Sequence, residues 1–169
     1  MGGAVSFESH GVGLAPGAAR AAETPSLVTA AKQGDIGAVR TLLGQGTAVD
    51  ATEGDGTTAL HWASYRDDID VVGLLLDTGA DVNVARWSGD TPLLASIHGG
   101  NAELVRLLLD QGADPNVAET RMGQTPLMWA ISGESPLIAN VLISQGADVN
   151  AKSTNGFSPV LFAAEYGDA

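Results

Sequence analysis

Apolar residues in this chain fall in short clusters separated by Gly- and Asp-bearing breaks, most regularly in Thr91 to Asn116, TPLLASIHGGNAELVRLLLDQGADPN. The Thr91 hydroxyl can accept from the free N–H groups of a starting helix. Pro92 suits the first helical position because its φ is already helical and it has no N–H to leave unpaired. Gly99 and Gly100 break this helix, and Asn101 can cap a second whose apolar face is Leu104, Val105, Leu107, Leu108 and Leu109. Gly112, just past the last apolar position, accepts the left-handed conformation that closes a helix, and Ala113-Asp114-Pro115-Asn116 leads away as an extended turn. The pattern predicts helix, turn, helix and projecting loop.

Near copies of this unit recur on both sides. The closing motif appears as Gly46-Thr47-Ala48-Val49-Asp50, Gly79-Ala80-Asp81-Val82-Asn83, Gly112-Ala113-Asp114-Pro115-Asn116 and Gly146-Ala147-Asp148-Val149-Asn150, in steps of 33, 33 and 34 residues. The opening motif, Thr58-Ala59-Leu60, Thr91-Pro92-Leu93, Thr125-Pro126-Leu127 and Ser158-Pro159-Val160, steps by 33, 34 and 33. Second helices repeat with caps expected at Asp35, Asp68, Asn101 and Ser135, and with Leu42-Leu43, Leu75-Leu76, Leu108-Leu109 and Leu142-Ile143 as apolar pairs. One helix pair cannot cover its own apolar face, so neighbouring units must stack into a continuous core.

The repeat resembles the ankyrin repeat, whose Thr-Pro-Leu-His opening and Gly-Ala-Asp-Val-Asn closing stand here as Thr58-Ala59-Leu60-His61 and Gly79-Ala80-Asp81-Val82-Asn83. The resemblance covers residues 24–169 and implies an all-α repeat solenoid, stacked helix-turn-helix units with projecting β-hairpin-like loops. Units are expected at 24–51, 52–85, 86–118, 119–151 and 152–169, with one extra residue in the loop Glu119-Thr120-Arg121-Met122. The first is a capping repeat, in which Thr24-Pro25 lies one residue early. The last stops where Asp168 would cap a second helix, leaving Leu161, Phe162 and Ala163 short of cover; this suggests that the natural protein continues. Residues 1–23, with Gly2, Gly3, Gly11, Gly13 and Gly17, show no periodicity and read as a flexible leader. Their only Lys or Arg is Arg20, too late for a secretory signal, although Ala19-Arg20-Ala21 has the look of a cleavage site that would fit a signal with a lost beginning.

Composition narrows the chemistry. With 169 residues, 44% apolar and 17% charged, the chain can build one ordinary domain with a real core. It has no cysteine, which removes disulfides, thiolate zinc sites and cysteine nucleophiles. The formal charge of −12 repels phosphate backbones and anionic lipid, so neither nucleic acid nor a membrane surface is an expected partner. No apolar run approaches the roughly 18 residues needed to span a bilayer. Nothing demands an oligomer, so a soluble monomer is the expectation, cytoplasmic by default and exported if a signal precedes the chain.

Catalytic and metal readings are weak. His61 lies near Asp67, Asp68 and Asp70 in sequence, but the ankyrin resemblance implies that this histidine hydrogen-bonds backbone around the loop. His10 and His98 complete no triad or metal set. Asp81, Asp114 and Asp148 recur with the closing motif, Asp35 and Asp68 fall at caps, and Glu53, Asp55, Asp67, Asp68 and Asp70 lack the order of a calcium loop. No catalytic residue, cofactor or metal is expected.

The remaining positions are those the repeat leaves free. Ankyrin proteins commonly bind partners with the loop tips before the Thr and with exposed positions late in the first helix. Carried over residue by residue, the resemblance selects Asp55, Thr57, Tyr65 and Arg66; then Trp87, Ser88, Asp90 and His98; then Arg121, Met122, Gln124 and Ser132; and finally Asn155, Phe157 and Tyr166. Large apolar groups at exposed sites are typical interface anchors. Trp87 is expected to bind because a loop tip has little core to fill. Trp62, Trp129 and Phe162, four residues after the Thr or Ser, are expected to pack between repeats. Lys32, Arg66, Arg86, Arg121 and Lys152, five of the eight basic residues, map to this side. They either steer a partner with an acidic segment or are simply solvated loop side chains. The implied function is a protein or peptide binding module without catalysis; the competing reading is a regulatory or targeting arm of a larger enzyme.

Overall fold

Short helices need caps, and the chain supplies one at nearly every start. The structure is a computed structural model that describes residues 25–166; the leader at 1–23 and Asp168 lie outside the described residues. Among the described residues are helices α1 (Leu27–Gln33), α2 (Ile36–Gly44), α3 (Ala59–Tyr65), α4 (Ile69–Asp77), α5 (Pro92–Gly99), α6 (Ala102–Asp110), α7 (Pro126–Ser132), α8 (Pro136–Ser144) and α9 (Pro159–Tyr166). No strand forms among them, and one isolated antiparallel bridge joins Thr52 to Thr58. The all-α repeat expectation therefore holds.

Three of the four expected second-helix caps make their bonds. Asp35, Asp68 and Asn101 accept from backbone N–H groups of α2, α4 and α6. Ser135 occupies the same position before α8, but its hydroxyl turns back to the Gly133 carbonyl at 3.2 Å and makes no capping bond. At the first unit Ser26 caps α1, accepting from Thr29 N–H at 3.0 Å, which explains why Thr24-Pro25 is displaced from the motif register.

The first helices α1, α3, α5, α7 and α9 stack in chain order, while α2 packs on α4 and α6 on α8 as a second row. Leu60, Leu75, Leu93, Leu108, Leu127 and Leu142 are at most 1% exposed between the rows. Burying such a side chain contributes about 1.5–3 kcal/mol each. At the far end Phe162 is buried, but Val160 and Leu161 are 69% and 50% exposed.

The first three closing motifs each tie one unit to the next. After α6 the left-handed Gly112 lets Ala113 N–H reach the Leu108 carbonyl at 3.0 Å. Asn83 then accepts from Asp114 N–H at 2.9 Å and donates its amide to the Gly112 carbonyl at 3.0 Å. Asn116 repeats both bonds with Asp148 N–H at 2.7 Å and Gly146 O at 3.1 Å. Asp50 can only accept, and it takes the Asp81 N–H at 3.1 Å.

The turn within each pair also needs a left-handed residue, supplied by Gly34 and Gly100 but by Asp67 and Glu134 in the other units, at φ 56° and 52°. Asp67 carries this strain with its carboxylate against Gly99, where a Cβ would collide with it. One of its oxygens is buried with no donor, and desolvation holds its carboxyl above the ordinary value near 3.8.

Candidate functional site

Before each first helix the backbone folds into a tight hairpin turn. Its base is closed by Glu53 N–H to Thr57 O at 2.8 Å, Arg86 to Asp90 at 2.9 Å, Glu119 to Gln124 at 3.1 Å and Ser153 to Phe157 at 2.9 Å. The tips are laced together. Trp87 N–H donates to Asp55 O at 3.1 Å, Thr120 N–H to Ser88 O at 3.0 Å and Thr154 N–H to Met122 O at 2.9 Å. Gly89 is required at its tip, because its φ is +79° and a Cβ would lie 2.8 Å from the Thr120 nitrogen. In this ladder Met122 takes the place of Asp55 and Ser88, which makes Arg121 the extra residue of the longer step.

The inserted turn is organised by Glu119, which is only 5% exposed. Its carboxylate accepts from Arg121, Met122 and Gln124 N–H groups at 2.6, 2.7 and 3.1 Å. Successive backbone N–H groups of a tight turn form such a nest for an anion, and here the anion is the chain's own. In the neighbouring hairpin, Asp90 pairs with Arg86 and accepts the Ser88 hydroxyl at 2.7 Å.

His61 joins the two layers of the site. The Asp90 carbonyl, 3.0 Å from Nε2, can only accept, so Nε2 carries the proton and Nδ1 accepts from Thr58 N–H at 3.2 Å. Burial, and less strongly Arg86, pushes the imidazole below its usual value, while the bond to Asp90 opposes them. The histidine is a structural tie, as the resemblance implied.

Along the first helices runs a row of rings. Lys32 Nζ lies 4.4 Å over Trp62; Trp62 meets Tyr65 at 6.1 Å, Tyr65 meets His98 at 6.4 Å and His98 meets Trp129 edge-on at 4.7 Å. Between Trp62 and Trp129 the corresponding residue of α5 is Ala95. That small side chain leaves a groove of about 440 Å³ between the ring row and the hairpins.

Of the residues expected at the binding face, Thr57, Tyr65, Ser88, Asp90, His98, Arg121, Met122 and Gln124 line this groove. Asp55 and Trp87 stand at hairpin tips outside it, with Trp87 80% exposed. The Arg66 guanidinium lies beside Gly34, Ser132 donates to the Trp129 carbonyl at 3.1 Å, and Phe157 stacks edge-on with Phe162 at 6.0 Å. Asn155 is an exposed tip residue and Tyr166 ends α9. Trp62 and Trp129 pack against the core as expected, but they also wall the groove. Glu119 and Ala95 escaped the sequence reading. A signal for Ala95 was present in the aligned series Trp62, Ala95, Trp129, Phe162, whereas nothing local marks Glu119 as buried. Among the described residues no three His, Asp or Glu side chains gather to hold a metal ion, and no helix is long and apolar enough to cross a membrane.

Stacked helix pairs, projecting hairpins and a ligand-sized groove on the variable face define a solenoid repeat protein. The family described as Ankyrin repeats (3 copies) matches residues 15–86 and again 85–153, and the chain belongs to the ankyrin-repeat family. Members of this family generally serve as protein–protein interaction modules and are typically non-catalytic. No curated protein matches the chain.

Proposed function

We propose that the groove between the ring row and the hairpins is where this chain binds a segment of another protein. The observation that carries this reading is Ala95: where the flanking units place tryptophan, the central unit opens a space walled by Trp62 and Trp129. Tyr65 and Met122, 55% and 47% exposed at its rim, are anchors of the kind that dominate binding energies. The closed hairpins and laced tips preorganise the walls, so little chain ordering is needed on binding. Trp87, Asp55 and the later residues Asn155 and Phe157 extend the face beyond the groove.

The test fills the groove rather than stripping it. A partner is recovered from source lysate, identified and purified, and its affinity for wild type is compared with Ala95→Trp and with Leu137→Ala on exposed α8. We expect Ala95→Trp to weaken binding at least tenfold, in line with loss of a hot-spot pocket, and Leu137→Ala to leave it unchanged. Equal affinity for wild type and a folded Ala95→Trp protein would overturn the assignment.

A further inference from the structure

The groove's polar groups are unequally committed. Its carboxylates are occupied: Glu119 accepts three backbone N–H groups, and Asp90 holds Arg86 and the Ser88 hydroxyl. Its donors are in surplus. Arg121 is exposed on the inserted residue and has no carboxylate partner among the described residues. The indole N–H groups of Trp62 and Trp129 and Nε of Arg86 are buried without an acceptor. The one buried carboxylate oxygen lacking a donor, on Asp67, belongs to a residue outside the groove lining. A cationic ligand would therefore find carboxylates whose oxygens are already engaged, by backbone N–H groups at Glu119 and by Arg86 and Ser88 at Asp90, while an anionic one would find an unpaired guanidinium on the same groove as the aromatic walls. This asymmetry is local, in a chain whose overall charge is −12.

We propose, resting on the groove reading above, that the occupant is an acidic stretch of polypeptide. A carboxylate of that stretch pairs with Arg121. An aromatic or large aliphatic residue close to it lies on the Tyr65, His98 and Trp129 rings, with Met122 against its flank. The extra residue of the third hairpin supplies the specificity: without it no side chain would stand at the Arg121 position between the Thr120 and Met122 backbone bonds. Charge pairing at the rim sets partner choice and association rate, and the rings supply the contact area.

The experiment pans a random nonapeptide display library on the intact chain and, in parallel, on Ala95→Trp. Peptides that enrich only on the open groove are synthesised with a fluorescent label. Each is also made with Asp and Glu replaced by Asn and Gln, and both forms are titrated against wild type, Arg121→Gln and Arg121→Lys. The expected result is enrichment of Asp or Glu within a few residues of an aromatic or large aliphatic side chain. Removing the acid should weaken binding about tenfold, Arg121→Gln should do the same only for the acidic form, and Arg121→Lys should restore part of the loss. Groove-dependent peptides that are neutral or basic, or acidic peptides indifferent to Arg121, overturn the acidic assignment and leave the groove standing. No peptide distinguishing the open from the filled groove overturns both.

Discussion

The outer helices and the hairpin face are cut from the same repeat but follow opposite rules. In α2, α4, α6 and α8 the series Val39, Val72, Val105, Ala139 and Leu42, Leu75, Leu108, Leu142 hardly varies, because each residue fills the same space between identical neighbours. Along the first helices, Lys32, Tyr65, His98 and Ser132 share one position and Trp62, Ala95, Trp129 and Phe162 another. Uniformity at these positions builds a continuous core. Variation builds the groove, since a cavity between stacked units requires one unit to be smaller than its neighbours. The stack is thus a means of holding unlike residues at fixed spacing.

Substitutions that separate stability from binding test this contrast. The largest effect is expected from Leu108→Ala, which leaves a cavity in the core and should lower stability by about 2–5 kcal/mol in urea denaturation. Glu119→Ala comes next, because three backbone N–H groups of the inserted turn lose their acceptor. A loss of about 1–3 kcal/mol is expected by the same measurement, and it would show that one groove residue is also structural. Asp67→Gly should act in the other direction. It relieves a left-handed non-glycine residue and removes a carboxylate oxygen without a donor, so a gain of about 0.5–1 kcal/mol is expected in thermal denaturation. The smallest effect on stability, within about 0.5 kcal/mol, is expected for the rim substitution Tyr65→Ala, as for ordinary surface changes, despite its expected loss of binding. A large destabilisation by Tyr65→Ala would break the division between scaffold and face.

His61 sharpens the contrast through pH. Its folded-state value is depressed, so the unfolded chain binds the proton more tightly, and stability is present above the ordinary value near 6.5 and falls as pH drops below it. Urea denaturation between pH 7.5 and 5 should show this decline, and His61→Asn should flatten it. Asp67, with a raised value, has the opposite sign: its contribution diminishes as pH rises above about 3.8. The two contributions change in opposite directions with pH, and the His61→Asn comparison isolates the part that belongs to the Thr58–His61–Asp90 tie.

The sequence by itself determined the stack. Thr91, Asn101 and Gly112 act over three or four residues through caps and left-handed turns, and their recurrence at fixed steps leaves few alternatives to paired helices. It also marked Tyr65, His98, Arg121 and Met122 as free positions, since a strict repeat exposes whatever departs from it. Only the tertiary structure decided which free positions line one groove. Arg66 and Tyr65 are adjacent in sequence, but Arg66 lies beside Gly34 while Tyr65 rims the groove. The groove's opening rests on Ala95 between two tryptophans, and the shape of its third hairpin on Glu119 turning inward. Both are relations between residues about 33 apart in sequence, or between a side chain and the turn it fills. Neither has a local energetic signature: a pattern along the chain records what each residue can do, and packing decides what it is left free to do.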